Sequence, residues 1–179
     1  MITLKQERSS DLSIKKIGLI SDTHIPTRAK KIPLRVFTIF QNVDFIIHAG
    51  DLVSLEVIDE LEQLAPVLAV HGNMDEVNVR EKLPKMNALT FDHWRIGVTH
   101  DPGTRFGGRK MREIAKENKF NVLVYGHTHH QSIVWEDNRL FINPGSPTRP
   151  ILPFMTKPTI AILKFSQKKV ETEIVSIKK

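Results

Sequence analysis

At 179 residues, 40% of them hydrophobic and 26% charged, the chain is long and apolar enough for a sizeable core, which excludes wholesale disorder. It has no cysteine, so disulfides, iron–sulfur clusters and thiol nucleophiles are excluded and any metal must be held by His, Asp, Glu or Asn. The formal net charge of +6 suits an anionic partner such as a phosphate ester, although Lys164, Lys168, Lys169, Lys178 and Lys179 read as ordinary solvated surface.

No apolar run approaches the roughly 20 residues of a membrane span. The polar start, residues 1–16, lacks the apolar stretch of a secretory signal, so the expected location is the cytoplasm. In chain order, residues 17–20 form an apolar strand that runs into Ser21-Asp22-Thr23-His24. A helix over 33–41 presents Leu34, Phe37 and Phe40 inward. A strand over 45–47 ends in His48-Ala49-Gly50-Asp51, and a helix over 54–64 follows with Leu55, Ile58, Leu61 and Leu64 along one face. A strand over 67–70 ends in His71-Gly72-Asn73. His93 beside Trp94 reads as a surface hairpin residue, and a strand over 96–98 ends in Thr99-His100-Asp101. A basic helix over 108–118 turns Met111, Ile114 and Ala115 inward, and a strand over 122–125 ends in Gly126-His127-Thr128-His129.

The last third changes to a hairpin of 131–137 with 138–142, a turn cluster Asn143-Pro144-Gly145-Ser146-Pro147, and strands over 158–165 and 169–177 joined by Ser166-Gln167-Lys168. Consecutive strands without helices predict an antiparallel second sheet packed on the first. The expected fold class is α/β, a two-sheet β-sandwich flanked by helices, in a single domain spanning 1–179. Near-continuous apolar strands require cover on both faces, and sites in such folds form beyond the carboxyl ends of the strands.

Five strand ends in a row carry groups that can ligate a metal. A lone Asp-x-His or Gly-Asp is weak evidence, since most are turns or hydrogen-bonded structure. The ordered combination is far more specific. Hydrolysis of a phosphate ester must bring an anion to an oxygen nucleophile, and two cations roughly 3.5–4 Å apart answer both needs. Holding such a pair takes about seven ligands with one carboxylate shared, and the five strand ends supply that chemistry.

The series Ser21-Asp22-Thr23-His24-Ile25-Pro26, Gly50-Asp51, Gly72-Asn73-Met74-Asp75, Gly126-His127-Thr128-His129 and Asn143-Pro144-Gly145-Ser146 resembles the calcineurin-like metallophosphoesterase superfamily, specifically its small single-domain prokaryotic phosphodiesterase branch. The resemblance runs from about Ile17 to Pro150. It implies a divalent-metal-dependent phosphoesterase acting on a small phosphate ester or phosphodiester. One metal site would comprise Asp22, His24, Asp51 and His129, and the other Asp51, Asn73, His100 and His127. It also implies in-line attack on phosphorus by a metal-bridging hydroxide, with Asp51, Asn73 and His100 as the catalytic residues. Manganese is the first expectation for such N/O ligands, with Ni, Zn, Fe or Mg as alternatives.

Two departures from the pattern matter. The phosphomonoesterase branches commonly place His after Gly-Asn to protonate the leaving group; here Met74 stands there, so the general acid is undefined. Asp101 stands where the family usually has Gly, and reads first as an Asx turn ahead of Pro102. Arg28 is a candidate phosphate clamp. His48 and His71 read as supporting histidines, His130 as a cleft or hairpin residue, Arg149 as near the site by analogy, and Trp135 as core. The alternatives are a nuclease of the same superfamily, suggested by the basic charge, and a non-catalytic scaffold resembling a retromer subunit. Nucleic acid is the less favoured partner, no membrane is expected, and the oligomeric state is left open.

Overall fold

The computed structural model describes residues 2–3, 15–103, 108–148, 157–166 and 168–177. In chain order the elements are β1 (Ile2–Thr3), β2 (Lys15–Ile20), α1 (Leu34–Phe40), β3 (Phe45–His48), α2 (Glu56–Glu62), β4 (Val67–Ala69), α3 (Val77–Lys82), β5 (Met86–Phe91), β6 (Trp94–Thr99), α4 (Arg109–Glu117), β7 (Val122–Val124), β8 (Ser132–Glu136), β9 (Arg139–Asn143), β10 (Thr159–Phe165) and β11 (Val170–Ser176). They build a six-stranded sheet ordered β1-β5-β6-β7-β9-β8 and a five-stranded sheet ordered β11-β10-β2-β3-β4. Both sheets are mixed: β2, β3 and β4 run parallel, as do β6, β7 and β9, while the hairpins add antiparallel strands.

Strand alternation explains the layers. Ile17, Leu19, Phe45, Ile47 and Leu68 face Leu89, Ile96, Val98, Val122, Val124, Leu140 and Ile142 in the core between the sheets. The intervening Ile20, Ile46, Ile160 and Ile162 turn the other way and pack on Val36 and Phe40 of α1 and Val57 and Leu61 of α2. On the outer face of the six-stranded sheet, Leu123, Tyr125 and Phe141 meet Met111 and Ala115 of α4. Both faces of each central strand are therefore covered, which is why the sequence shows unbroken apolar runs. Each such fully buried side chain stabilises the fold by about 1.5–3 kcal/mol. No helix among the described residues is long and apolar enough to cross a membrane.

The structure corrects three details. Leu34 is not inward: as the first residue of α1 it is 84% exposed, and the buried pair is Val36 and Phe40, spaced i,i+4. The last four strands do not form a separate antiparallel sheet. Parallel pairing of β9 with β7 carries the β8–β9 hairpin into the six-stranded sheet. Antiparallel pairing of β10 with β2 carries the β10–β11 hairpin into the five-stranded one. Trp135 is not core but 54% exposed on an edge strand.

Candidate metal centre

The loops leaving β2, β3, β4, β6 and β7 meet at one end of the sandwich. Backbone bonds stitch them together: the Asp22 amide donates to Gly50 O, that of His24 to Asp51 O, and that of Gly126 to His100 O, all at 3.0 Å. Asp22, His24, Asp51, His127 and His129 all have positive φ, between 48° and 69°. Such left-handed residues without glycine each cost on the order of 1 kcal/mol, and they cluster where surrounding structure over-determines them, typically at functional sites.

The side chains converge. Asp22, His24 and His129 bring ligand atoms within 4.8 Å of one another, and so do Asp22, Asp51 and His100. The Nε2 atoms of His24 and His129 lie 3.1 Å apart, and His129 Nε2 is 3.2 Å from Asp22 Oδ1. Asp51 uses Oδ1 to accept the Met74 amide at 2.7 Å. Its Oδ2 is left facing both groups, 3.7 Å from His24 Nε2 and 3.3 Å from His100 Nε2. His127 Nδ1 approaches Asn73 Oδ1 at 3.0 Å on the more open side. All seven residues expected from the sequence thus line one cluster. In the triads, Asp22 rather than Asp51 is the common member, while a single Asp51 oxygen lies between their histidines.

Charge balance argues for a cation here. Asp22 and Asp51 are 0% and 2% exposed and have no Lys or Arg ion-pair partner among the described residues. Buried carboxylates are costly unless paired or coordinated. His100 is oriented from behind: its Nδ1–H donates to Ala49 O at 2.8 Å, which aims Nε2 at Asp51 Oδ2 without the alignment of a hydrogen bond, a pose that suits a metal ligand. Burial opposes charge on His100, but the adjacent Asp51 carboxylate and the nearby Asp22 outweigh it and push its pKa up to about 9. Burial and then the Arg28 guanidinium lower His24 to about 4. Burial alone would raise Asp51, but His100, the Met74 amide and His24 hold its carboxyl below the usual range. An O/N donor set of carboxylates, imidazoles and one amide fits a hard or borderline divalent ion.

The sequence pattern of the calcineurin-like phosphoesterase superfamily domain matches residues 16–168. The chain belongs to this superfamily. It is 39% identical over 160 residues to a probable metallophosphoesterase of Methanothermobacter thermautotrophicus, covering 89% of this chain and 91% of that protein. It is 34% identical over 176 residues to a phosphodiesterase of Methanocaldococcus jannaschii, covering 89% and 98%. A predicted phosphoesterase from Streptococcus pneumoniae has the same fold at a TM-score of 0.77 and 23% identity, covering 93% and 92%. Vacuolar protein sorting 29 from Cryptosporidium parvum shares the fold at 0.76 and 19%, covering 93% and 99%.

Residues outside the seven hold this superfamily cluster in place. Asp75, 3% exposed, accepts three backbone amides: Val53 at 2.5 Å, Gly72 at 2.6 Å and Asp51 at 3.2 Å. Burial and the neighbouring Asp51 raise its pKa, against the pull of those amides. Asn143 donates Nδ2–H to Gly126 O at 2.8 Å and accepts the Gly145 amide at 2.8 Å, and Ser146 Oγ–H donates to Asp22 O at 2.8 Å. The Asn-Pro-Gly-Ser cluster read as a turn is therefore the clamp on the first and last ligand loops. Its polar spacing signalled a turn, but nothing local signalled a partner more than a hundred residues away. Two glycines admit close approach: a Cβ on Gly72 would lie 2.2 Å from Asp51 Oδ1, and one on Gly126 2.0 Å from Ser21 Oγ.

The remaining candidates fall into place. Arg28 is partly buried, acts on His24 through its charge, and makes no side-chain hydrogen bond among the described residues. Asp101 does form the Asx turn, accepting the Gly103 amide at 2.8 Å, while its other oxygen lies 3.7 Å from His127 Nε2. His130 is exposed, with Nδ1–H donated to Gln131 O at 2.9 Å. His71 is partly buried and contacts Gly72 O, and the His93 ring lies tilted by 39° against that of Trp94 at the β5–β6 turn. Arg149 lies outside the described residues.

His48 is fully buried, accepts the Gly50 amide at Nδ1 (3.2 Å), and so donates Nε2–H to Thr23 Oγ1 (3.1 Å). Burial lowers its pKa to about 4. The unfolded imidazole, near 6.5, takes up a proton that the folded one refuses. The resulting stability is fully present above that value and is lost as pH falls toward 4, amounting to about 3 kcal/mol. Urea titrations of chelator-treated protein between pH 7 and 4 should show His48→Gln losing less stability on acidification than the wild type; equal losses would contradict the neutral buried imidazole.

Proposed function

We propose that the chain is a dinuclear, divalent-metal-dependent phosphodiesterase. The observation that supports this most strongly is the single Asp51 oxygen set between His24 and His100, in a buried group of carboxylates and imidazoles without Lys or Arg partners among the described residues. Asp22, His24, Asp51 and His129 would hold one ion, and Asp51, Asn73, His100 and His127 the other. Two such ions would lower the pKa of a bound water and neutralise phosphoryl oxygens. Mn²⁺ is the ion proposed first for this donor set. The relatedness to a Methanocaldococcus jannaschii phosphodiesterase favours a diester substrate. A purely scaffolding role would have no use for so complete a ligand set, and the fold is common to both kinds of protein.

Among the described residues the site orients and holds, and neither Met74 nor Asp75 is placed to protonate a leaving group. Met74 has no titratable proton. Asp75 is buried with both oxygens occupied by backbone amides. Rates should therefore rise steeply as leaving-group pKa falls, because the departing oxygen carries its charge in the transition state. Bis(4-nitrophenyl) phosphate should be preferred over alkyl monoesters. Met74→His should help poor leaving groups more than good ones, by up to about 100-fold, the low end of general-acid effects. A flat dependence of wild-type rate on leaving-group pKa, with chemistry shown to be rate-limiting, would overturn this reading.

A further inference from the structure

β8 closes one edge of the six-stranded sheet and pairs only with β9 among the described residues. Three consecutive large apolar side chains are exposed on it: Ile133 at 38%, Val134 at 42% and Trp135 at 54%. The register assigns their faces. Ile133 and Trp135 stand opposite Ile142 and Leu140, on the side of the core between the sheets. Val134 stands opposite Phe141, on the side of α4. Both faces of this strand are thus apolar and both reach solvent. Edge strands are usually blunted by Lys, Pro or a bulge. From Ser132 to Glu136 there is neither Lys nor Pro, and the register with β9 is unbroken.

We propose that β8 is a homodimer interface, in which a second copy of the chain adds its own β8 antiparallel about a two-fold axis at Val134. A two-fold contact requires a patch complementary to itself, and this strand meets that requirement. Centred on Val134, Ile133 faces Trp135 of the second copy on one side of the sheet, and Trp135 faces its Ile133. Aromatic and β-branched residues are favourable cross-strand partners. On the other face Val134 meets its own counterpart. Glu136 falls opposite Ser132 and Asp137 opposite Gln131, so no like charges meet along the strand. Each of the three apolar side chains thus meets an apolar side chain of the second copy, the self-match that a two-fold contact needs. The inference is independent of the metal cluster.

The absence of cysteine makes the register directly testable. In the proposed dimer, position 134 lies opposite itself with Cα atoms about 5 Å apart, within disulfide reach. Position 136 lies about 14 Å from its counterpart, four residues along the strand. Under mild oxidation Val134→Cys should form a covalent dimer and Glu136→Cys should not. Analytical ultracentrifugation should show a concentration-dependent wild-type dimer. Val134→Lys, which sets like charges against each other at the axis, should convert it to monomer with unchanged circular dichroism and unchanged diester hydrolysis. A wild type that stays monomeric, a dimer that survives Val134→Lys, or equal cross-linking at positions 134 and 136 overturns the proposal.

Discussion

Asp51→Asn should strip both metal ions and lower phosphodiester turnover by more than about 100-fold, the upper end of what changes in the outer shell of a metal site produce. The substitution is nearly isosteric, and the backbone at 51 is fixed by other means. Its amide donates to Asp75 at 3.2 Å and its carbonyl accepts the His24 amide at 3.0 Å. The Asn carbonyl oxygen can still accept the Met74 amide that Asp51 Oδ1 accepts at 2.7 Å. What is lost is the negative charge at Oδ2, the atom between His24 and His100. Elemental analysis and turnover should fall together while circular dichroism stays unchanged. Full metal content with normal turnover would exclude Asp51 as the shared ligand.

Asp75→Ala should be the most destabilising change near the site at a residue that is not itself a proposed ligand. It leaves the amides of Asp51, Val53 and Gly72 without their acceptor in a buried pocket. Each orphaned donor costs about 1–3 kcal/mol, so roughly 3 kcal/mol or more is expected in urea unfolding, a large part of the 5–15 kcal/mol typical of a domain. Asp75→Asn should recover part of the loss, since one oxygen can still accept. Were Asp75 instead a proton donor to the substrate, its replacement would remove the alkaline limb of the pH–rate profile, where rate falls as the donor loses its proton, at little cost in stability. That outcome would also undo the assignment of leaving-group departure without protonation.

The strand ends were legible because polar residues at the mouths of buried parallel strands interrupt long apolar runs at fixed places, as Ile47 gives way to His48 and Asp51. The helices were legible as periodic patterns, and the inward face of α4 at Met111, Ile114 and Ala115 with them, but the phase of α1 was not. Leu34 satisfies the apolar period of α1 and yet opens the helix, where it has no sheet beneath it. Sheet membership of the two final hairpins depends on which free strand edge each finds, β7 or β2, and local pattern carries no such information. α3 and β5 lacked a strong period: Val79 is the one buried residue of α3, and Met86 at the head of β5 is exposed. In the site, the convergence of the Asp, Asn and His side chains was readable, whereas the bracing by Asp75, Asn143 and Ser146 was not. Those bonds join short polar side chains to backbone across as many as 124 residues.

The central claim is that one carboxylate oxygen joins two ions into a single hydrolytic centre. Anomalous diffraction from a Mn²⁺-loaded crystal tests it most directly. The account predicts two peaks roughly 3.5–4 Å apart, one beside Asp22, His24 and His129 and the other beside Asn73, His100 and His127, with Asp51 Oδ2 in reach of both. A single peak, or two peaks that do not share Asp51, would contradict it.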